Sequence, residues 1–600
     1  MTIAGCRGGS ASTDGGTFQD VSPEARGDIR ATSSFRHQVF EHVFQEPISP
    51  AATGDFFTPA YSYPPIPVDP KYTHVLSFQL YPWAFPLRAA EITNGPVVLF
   101  SDTFETLVFS PMDHFFVSLV DVRDGEIRFG IEGEVESIPA GFRHRFLLVE
   151  GQGINATVEE WGRLLREDRG IGVRDRYADE AMGTLGYWTD NGAAYFYDTL
   201  PGAGYEETLL AVKDDADARG IPYGYFQVDS WWYFRGPDTS GRKGGIHLWE
   251  PDPAVLPNGL AALHEKLGLP LVAHSKWFEP DNGYLDKYTF QNGEAWAVPV
   301  GKEIFDEMLS NAADWGIITY EPDWLLSHYL WEIPWLRQGV DRVETWMANQ
   351  AAAASENGLS MQLCMAGAGH LMDALDRAPV LTFRTSIDYH RDTSKESYWP
   401  MFHTVNMLTS AIGIWPFKDN FWSSETCGEQ EALISTLSAG MVGVGDPVGE
   451  AVPEILLRTC RADGVLLKPA RTATPLDAMF LPHERPYTVS TWSQRTDLPG
   501  RWHYVAGFHL AREHPDMSPV DQAFALLTYD GRDLGEMFVW PDAVDDWTLD
   551  LASDLGIQGS VVAYDWRSGA AKMATGTTAF EPFEDLYDFG YLVLAPVQSN

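Results

Sequence analysis

Apolar residues along this chain fall mostly in short runs, and the spacing between runs changes character twice. From about residue 35 to 153 the runs are close-set and broken by turn residues: 73–80, 97–100, 105–110, 115–120, 126–130 and 142–150. Several short β-rich runs without a convincing long helix predict an all-β sandwich. A helix is predicted next, over 156–168. From Thr184 onward, eight strand-like runs alternate with helical periodicity: 184–188, 223–228, 269–273, 316–320, 361–365, 380–384, 412–415 and 441–444. Leu209, Val212 and Ala216 share one face of a helix by their spacing, and Ile304, Met308 and Ala312 share another. Eight strand–helix alternations predict a parallel (β/α)8 TIM barrel. Past about residue 470 the β pattern returns at 488–492, 502–508, 524–529, 561–565 and 591–595, as a small second sandwich.

The predicted class is therefore α/β: a central barrel between an N-terminal and a C-terminal β-sandwich. Its expected organisation is a disordered segment 1–32, a β-sandwich with linker helix 33–177, a catalytic barrel 178–470 and a β-sandwich 471–600. Long insertions at 231–257 and 277–299 follow the second and third barrel runs, where they would help to build a pocket.

Polar residues gather just past these runs. The first is followed by Thr189-Asp190-Asn191, the second by Asp229-Ser230-Trp231-Trp232 and the third by His274-Ser275-Lys276-Trp277. After the fourth come Glu321 and Asp323, after the sixth Arg384 and Asp388, after the seventh Lys418 and Asp419, and after the eighth Asp446. In a parallel barrel, strand C-terminal ends carry the chemistry. Two carboxylates meeting there among Trp and Tyr point to glycosidic bond cleavage, with one acid as nucleophile and the other as proton donor. Asp323 suits the nucleophile and Asp388 the proton carrier, with Arg384 near enough to orient it. Asp190, Asp229, Lys276 and Arg384 would bind hydroxyls, and Trp188, Trp231, Trp232 or Trp415 would offer an apolar wall to a sugar face. The blander alternatives are a buried core pair for Trp231 and Trp232, a helix or turn cap for Asp229, and structural salt bridges for the two catalytic candidates.

Composition narrows the partners. A formal net charge of −42 repels nucleic acid and anionic membranes, so neither is expected. Four cysteines, at 6, 364, 427 and 460, show neither a disulfide framework nor a metal-ligand spacing. There is no stretch of roughly 18 apolar residues. No visible signal peptide opens the chain; Ile3-Ala4-Gly5-Cys6 has the form of a lipoprotein cleavage box with nothing hydrophobic before it. The compartment is left open, as is assembly into a homo-oligomer. Asn155-Ala156-Thr157 is the one glycosylation sequon, read as a chance occurrence. Metalloprotease, nucleophile-elbow, P-loop and dinucleotide motifs are all missing, and no metal or organic cofactor is expected.

The stretch 183–477 resembles the α-galactosidase clan of glycoside hydrolases, clan D, and within it family 36, in its raffinose-synthase-like branch. Arg384-Thr385-Ser386-Ile387-Asp388-Tyr389, followed by Arg391-Asp392, resembles the family segment Arg-x-Ser-Asp-Asp-Phe, whose second Asp is the acid/base. Trp415-Pro416-Phe417-Lys418-Asp419-Asn420-Phe421 is similar to Pro-Asp-Trp-Asp-Met-Phe, and Val444-Gly445-Asp446-Pro447-Val448-Gly449 to the last-strand segment Ser-Asp-x-x-Gly. Asp463-Gly464 and Pro475-Leu476-Asp477 fall where that branch has comparable residues. The resemblance implies a retaining double displacement on a terminal α-linked sugar of an oligosaccharide or glycoside, with Asp323 as nucleophile and Asp388 as acid/base. Glu321 and Asp446, past the fourth and eighth runs, are also expected in the substrate-binding set. Two departures stand out: Glu321 occupies a position where the family has Lys, for which Lys276 is the expected substitute cation, and Ile387 replaces an Asp. The lead expectation is an exo-acting α-galactosidase-like hydrolase. Its rivals are an α-glycosyl transferase on the same intermediate and a non-catalytic carbohydrate-binding protein on a decayed barrel.

Overall fold

A computed structural model of the chain describes residues 19–21, 35–50, 54–78, 86–87, 92–238, 242–391, 395, 398–481, 485–494, 500–510, 547–581, 583 and 585–597. The strand expected at 524–529, Asp392, and the expected disorder over 1–32 apart from 19–21 lie outside these residues.

Eight parallel strands form the central sheet: β1 (Leu185–Tyr187), β2 (Tyr225–Val228), β3 (Leu271–Ser275), β4 (Ile317–Pro322), β5 (Ser360–Leu363), β6 (Val380–Arg384), β7 (Trp415–Phe417) and β8 (Val442–Val444). Neighbours run β8-β1-β2-β3-β4-β5-β6-β7. Between β7 and β8 the ring is closed by Phe421, whose N–H donates to the Gly443 carbonyl at 3.2 Å and whose carbonyl accepts from the Gly445 N–H at 2.9 Å. This is a TIM barrel, and each of its strands overlaps or abuts one of the eight apolar runs. The seventh run is displaced, because Ile412 ends the helix Tyr398–Ile412 and Gly413, at φ 84°, turns the chain before β7 begins. One apolar run served the end of a buried helix and the approach to a strand, which periodicity alone does not separate.

Outer helices dock as their spacing predicted: Tyr205–Arg219 buries Leu209, Val212 and Ala216, and Glu303–Asp314 buries Ile304, Met308 and Ala312. Both long insertions carry hairpins, Tyr233–Arg235 with Ile246–Pro251 and Phe290–Asn292 with Ala297–Pro299.

The N-terminal sandwich sets a seven-stranded antiparallel sheet against a smaller one built on Ser118–Arg123 and Glu126–Ile131. Phe40, Val97, Leu99, Phe109 and Phe146 face Val120, Ile127 and Phe129 between the sheets. The alternate residues Val98, Phe100, Val108 and Val149 turn the other way, against Val158, Trp161 and Leu165 of the helix Ile154–Arg169. That helix lies so close to Tyr398–Ile412 that a Cβ on Gly162 would stand 2.1 Å from the Ala411 carbonyl oxygen. Asp477 caps it from the far end of the chain, accepting from the Ile154 N–H at 2.8 Å and the Asn155 N–H at 3.0 Å. Asn155 itself donates its side-chain amide to the Pro475 carbonyl at 2.8 Å, so the sequon is tied into the fold.

After the barrel, the chain forms one continuous eight-stranded sheet from Thr474–Pro475 to Thr548–Asp550. Val489, Val505 and Leu592 share its core with Leu549, Ala574 and Phe580 from the opposite end of the strand order. Between this sheet and the helix Gly428–Leu437 lies a cavity of about 1130 Å³, lined by Tyr177, Tyr504, Trp566 and Tyr591 among others. Thr184, just before β1, reaches it, which places it at the N-terminal side of the barrel, away from the strand ends that carry the acids.

Candidate active site

The barrel interior is layered. Toward its base, Trp188, Tyr225, Val272, Leu381, Trp415 and Phe417 pack as one apolar plug. Above them comes a polar layer: Gln227 Nε2 donates to Glu321 Oε2 at 3.0 Å, and Gln362 Nε2 to Glu321 Oε1 at 2.9 Å. Glu321 is fully buried, and burial first, then the charges of Asp229 and Asp323, push its carboxyl up to about 8. It is an internal acid held by two amides and has no surface to offer a substrate. Its expected role in substrate binding is thereby corrected, because the strand register that points position 321 inward also buries it.

Asp323 follows β4 directly. Trp324 adopts a left-handed backbone, φ 60°, and its N–H donates to Asp323 Oδ1 at 2.6 Å. On the other edge, His274 Nε2–H donates to Asp323 Oδ2 at 3.0 Å. Burial opposes ionisation of this carboxyl, but the hydrogen bond and charge of His274, with the Arg384 guanidinium, outweigh it and hold Asp323 below the ordinary aspartate range. His274 was read in the sequence only as a residue past the third run. Its ring lies beside Asp323, in the position expected of Lys276; burial opposes protonation there, but the charges of Asp229, Asp323 and Glu321 and the hydrogen bond to Asp323 raise it above the ordinary histidine range. Lys276 Nζ instead donates to the Arg242 carbonyl at 2.6 Å, and burial pushes the amine down to about 8.

A second cluster surrounds Arg384 at the end of β6. Its guanidinium pairs with Asp388 at 2.6 Å, Asp419 at 3.5 Å and Asp190 at 3.7 Å. One cation among three carboxyls leaves them mutually repelling. Burial, then the negative charges of Asp419, Asp229 and Glu321, push Asp190 well above the aspartate range, and burial raises Asp419 to about 6. Asp388 is the open member, its side chain 24% exposed, with Oδ2 accepting from Asn191 Nδ2 at 2.9 Å. Asp419 steadies the loop by accepting from the Tyr389 N–H at 2.7 Å.

The remaining expected residues divide. Asp229 is nearly fully buried and accepts from the Ser230 N–H at 2.5 Å and Oγ at 2.6 Å, the turn-cap alternative. Asp446 spends both oxygens on Ser423 and Ser424, at 2.8 to 3.0 Å, so it fixes a loop. Trp188, Trp231, Trp232 and Trp415 are buried, with no open face for a sugar: Trp231 stacks on Tyr205 at 3.7 Å, and Trp232 lies edge-on to Trp249 at 5.0 Å. Among the described residues, Trp324, Tyr197 and Trp422 are aromatic residues that stay part-exposed near these strand ends. Trp324 could be suspected from its place beside Asp323; Asn191 and Asp419 gave only their position after a run. Among the described residues, no group of three or more His, Cys, Asp and Glu side chains is arranged to hold a metal ion.

Neither a protein-family model nor a curated protein sequence matches the chain. Its neighbours among solved structures are glycoside hydrolases. A variant of a Glycoside Hydrolase Family 97 enzyme from Pseudoalteromonas sp. strain K8 aligns over 94% of this chain and 84% of its own, with a TM-score of 0.54 and 10% identity. An α-galactosidase from Thermus thermophilus, solved with p-nitrophenyl α-D-galactopyranoside, aligns over 71% of this chain and 93% of its own, with a TM-score of 0.46 and 16% identity. A GH27 β-L-arabinopyranosidase from Geobacillus stearothermophilus aligns over 70% and 97%, with a TM-score of 0.46 and 14% identity. The likeness to the family 97 enzyme is one of fold and runs through nearly the whole chain: a TIM barrel with flanking β domains.

Proposed function

We propose that this chain is a retaining, exo-acting α-glycosidase, α-galactosidase-like, with Asp323 as nucleophile and Asp388 as acid/base. The observation that carries the reading is the pairing of unlike environments at the ends of β4 and β6. Asp323 is held ionised between His274 and the Trp324 N–H. Asp388 is more open and sits in a cluster with more carboxyls than cations. Two acids whose surroundings differ in this way suit a nucleophile and a proton carrier. In the first step an Asp323 oxygen attacks the anomeric carbon, the glycosidic C–O bond breaks, and the leaving oxygen takes the Asp388 proton. In the second, Asp388 removes a proton from water, whose oxygen attacks the same carbon and releases Asp323. Asp190 and Lys276, at the rim beside them, are placed to hold hydroxyls. The same reading takes 33–177, 178–470 and 471–600 as three domains, with the chemistry in the barrel.

The test is hydrolysis of aryl α- and β-glycosides, with the anomer of the first product followed by NMR. Asp388→Ala is expected to cost roughly 10²- to 10⁴-fold in turnover of natural glycosides, and Asp323→Ala to abolish it, both with the wild-type circular dichroism. Turnover by Asp323→Ala within a few-fold of wild type, or an inverted first product, overturns the reading. Excess acceptor sugar in the same assay separates hydrolysis from glycosyl transfer.

A further inference from the structure

His274 stands among three carboxyls from two neighbouring strands. Its Nε2 is 3.0 Å from Asp323 Oδ2 and 3.9 Å from Asp229 Oδ2, and in the β3–β4 register His274 is the partner of Glu321. Both Asp229 and Glu321 are anchored by the same amide, since Gln227 Nε2 reaches Asp229 Oδ2 at 3.3 Å and Glu321 Oε2 at 3.0 Å. A connected path thus runs from the polar layer of the barrel through Asp229 and His274 to the carboxylate proposed as nucleophile. The ring is buried, and its Nδ1 has no hydrogen-bond partner among the described residues. An orphaned Nδ1 carries a cost in either protonation state, so the neighbouring carboxyls decide the charge.

We infer that His274 is the positioning residue of Asp323: as an imidazolium it fixes the Oδ2 edge of that carboxylate and keeps it ionised within a closed site. This rests on the glycosidase reading for its catalytic consequence, but the ion pair itself does not depend on it. The other charged groups bearing on the pair are Arg384, which acts on Asp323 from β6, and Lys276, two residues beyond His274 and itself under the field of Asp229 and Asp323. His328, held neutral by burial and pushed down to about 4, adds no competing charge. Asp323 Oδ1 is fixed by a backbone N–H, whereas Oδ2 is held by the His274 side chain.

Two measurements test this on the full chain. In ¹⁵N-histidine-labelled protein, the His274 ring, assigned by its loss in His274→Gln, is expected to remain doubly protonated at about pH 7.5, above the ordinary titration of histidine near 6.5. In Asp323→Asn its midpoint is expected to fall by at least about one pH unit. A ring that is neutral at pH 7.5, or indifferent to Asp323→Asn, overturns the inference. This comparison needs no activity, so it stands if the chain cleaves no glycoside; His274→Asn supplies the assignment if His274→Gln fails to fold. On an aryl α-glycoside, His274→Gln should lower kcat on the order of 10²-fold with little change in KM, and move the acidic limb of kcat/KM upward by at least about one unit. A lowered rate with the acidic limb unmoved marks a merely structural role and also overturns it.

Discussion

Glu321 shows how much one side chain can alter when its surroundings are dry. An ordinary glutamate titrates near 4.5, but this one is raised to about 8. Its folded form therefore keeps a proton that the unfolded chain releases, and its contribution to stability falls as pH rises from about 4.5 towards 8. Glu321→Gln keeps the shape and cannot titrate. Denaturant unfolding of the variant is expected to weaken less between pH 5 and pH 8 than that of the wild type; an equal loss in both would show that Glu321 is not the titrating group. The same position departs from the family pattern noted in the sequence, and the structure supplies a physical account. The ring beside Asp323 is that of His274, on the adjacent strand, while Glu321 pairs with the amides of Gln227 and Gln362. Sequence named the acids at 323 and 388 because each follows an apolar run. It could not name His274 in that role, because the contact is made across strands 49 positions apart.

At the scale of elements, the loop after β6 is anchored by a buried ion network. Lys395 pairs with Glu425 and with Glu431 at 3.1 Å, and Lys418 pairs with Glu431 at 2.5 Å. Both ammonium groups lie over the ring of Tyr389, next to Asp388, at 5.3 and 5.6 Å. Burial resists the charge on Glu431, yet Lys418 and Lys395 hold it down to about 2. Glu431→Gln leaves Lys418 buried without that partner, and removal of one member of a buried pair costs about 3–5 kcal/mol. Urea unfolding should show a loss of that size near neutral pH, where the wild-type pair is intact; a change below about 0.5 kcal/mol would mean that the network is solvated. Glu431 is carried by the helix Gly428–Leu437. Glu431 is held inward by Lys395, Lys418 and the Trp399 indole, partners that only the folded chain brings to it.

For the whole molecule, buried groups of two kinds oppose each other across the pH scale. Burial raises Glu132 and Glu321 to about 8 and Asp373 to about 7, so each lends stability at low pH that is lost as pH rises from the ordinary carboxyl range to those values. Burial lowers His328 to about 4 and His370 and His403 to about 3, so below about pH 6.5 the unfolded chain takes up protons that the folded chain does not. A formal charge of −42 adds self-repulsion on the alkaline side. Thermal unfolding should therefore be latest near pH 6 to 6.5, within the usual range of maximal stability, and occur earlier at pH 8. A midpoint that climbs steadily to pH 8 would contradict the burial of these acids.

Local pattern was enough to set the number of barrel strands and the order of β and α/β parts, and to single out two acids past the fourth and sixth runs as candidates. Each of these is written in contiguous residues, as an apolar run, a helical face or a carboxyl after a strand. Which way a side chain turned was decided by closure of the barrel. Trp188 and Trp415 became a plug and Glu321 an internal acid, while Asp446 and Asp229 were taken up as caps. Closure also brought His274 to Asp323 and gathered Asp190, Asp388 and Asp419 around one guanidinium. Hydrophobic periodicity specifies which residues leave water together, but the partner a charge finds depends on register and curvature, which exist only once the strands have met.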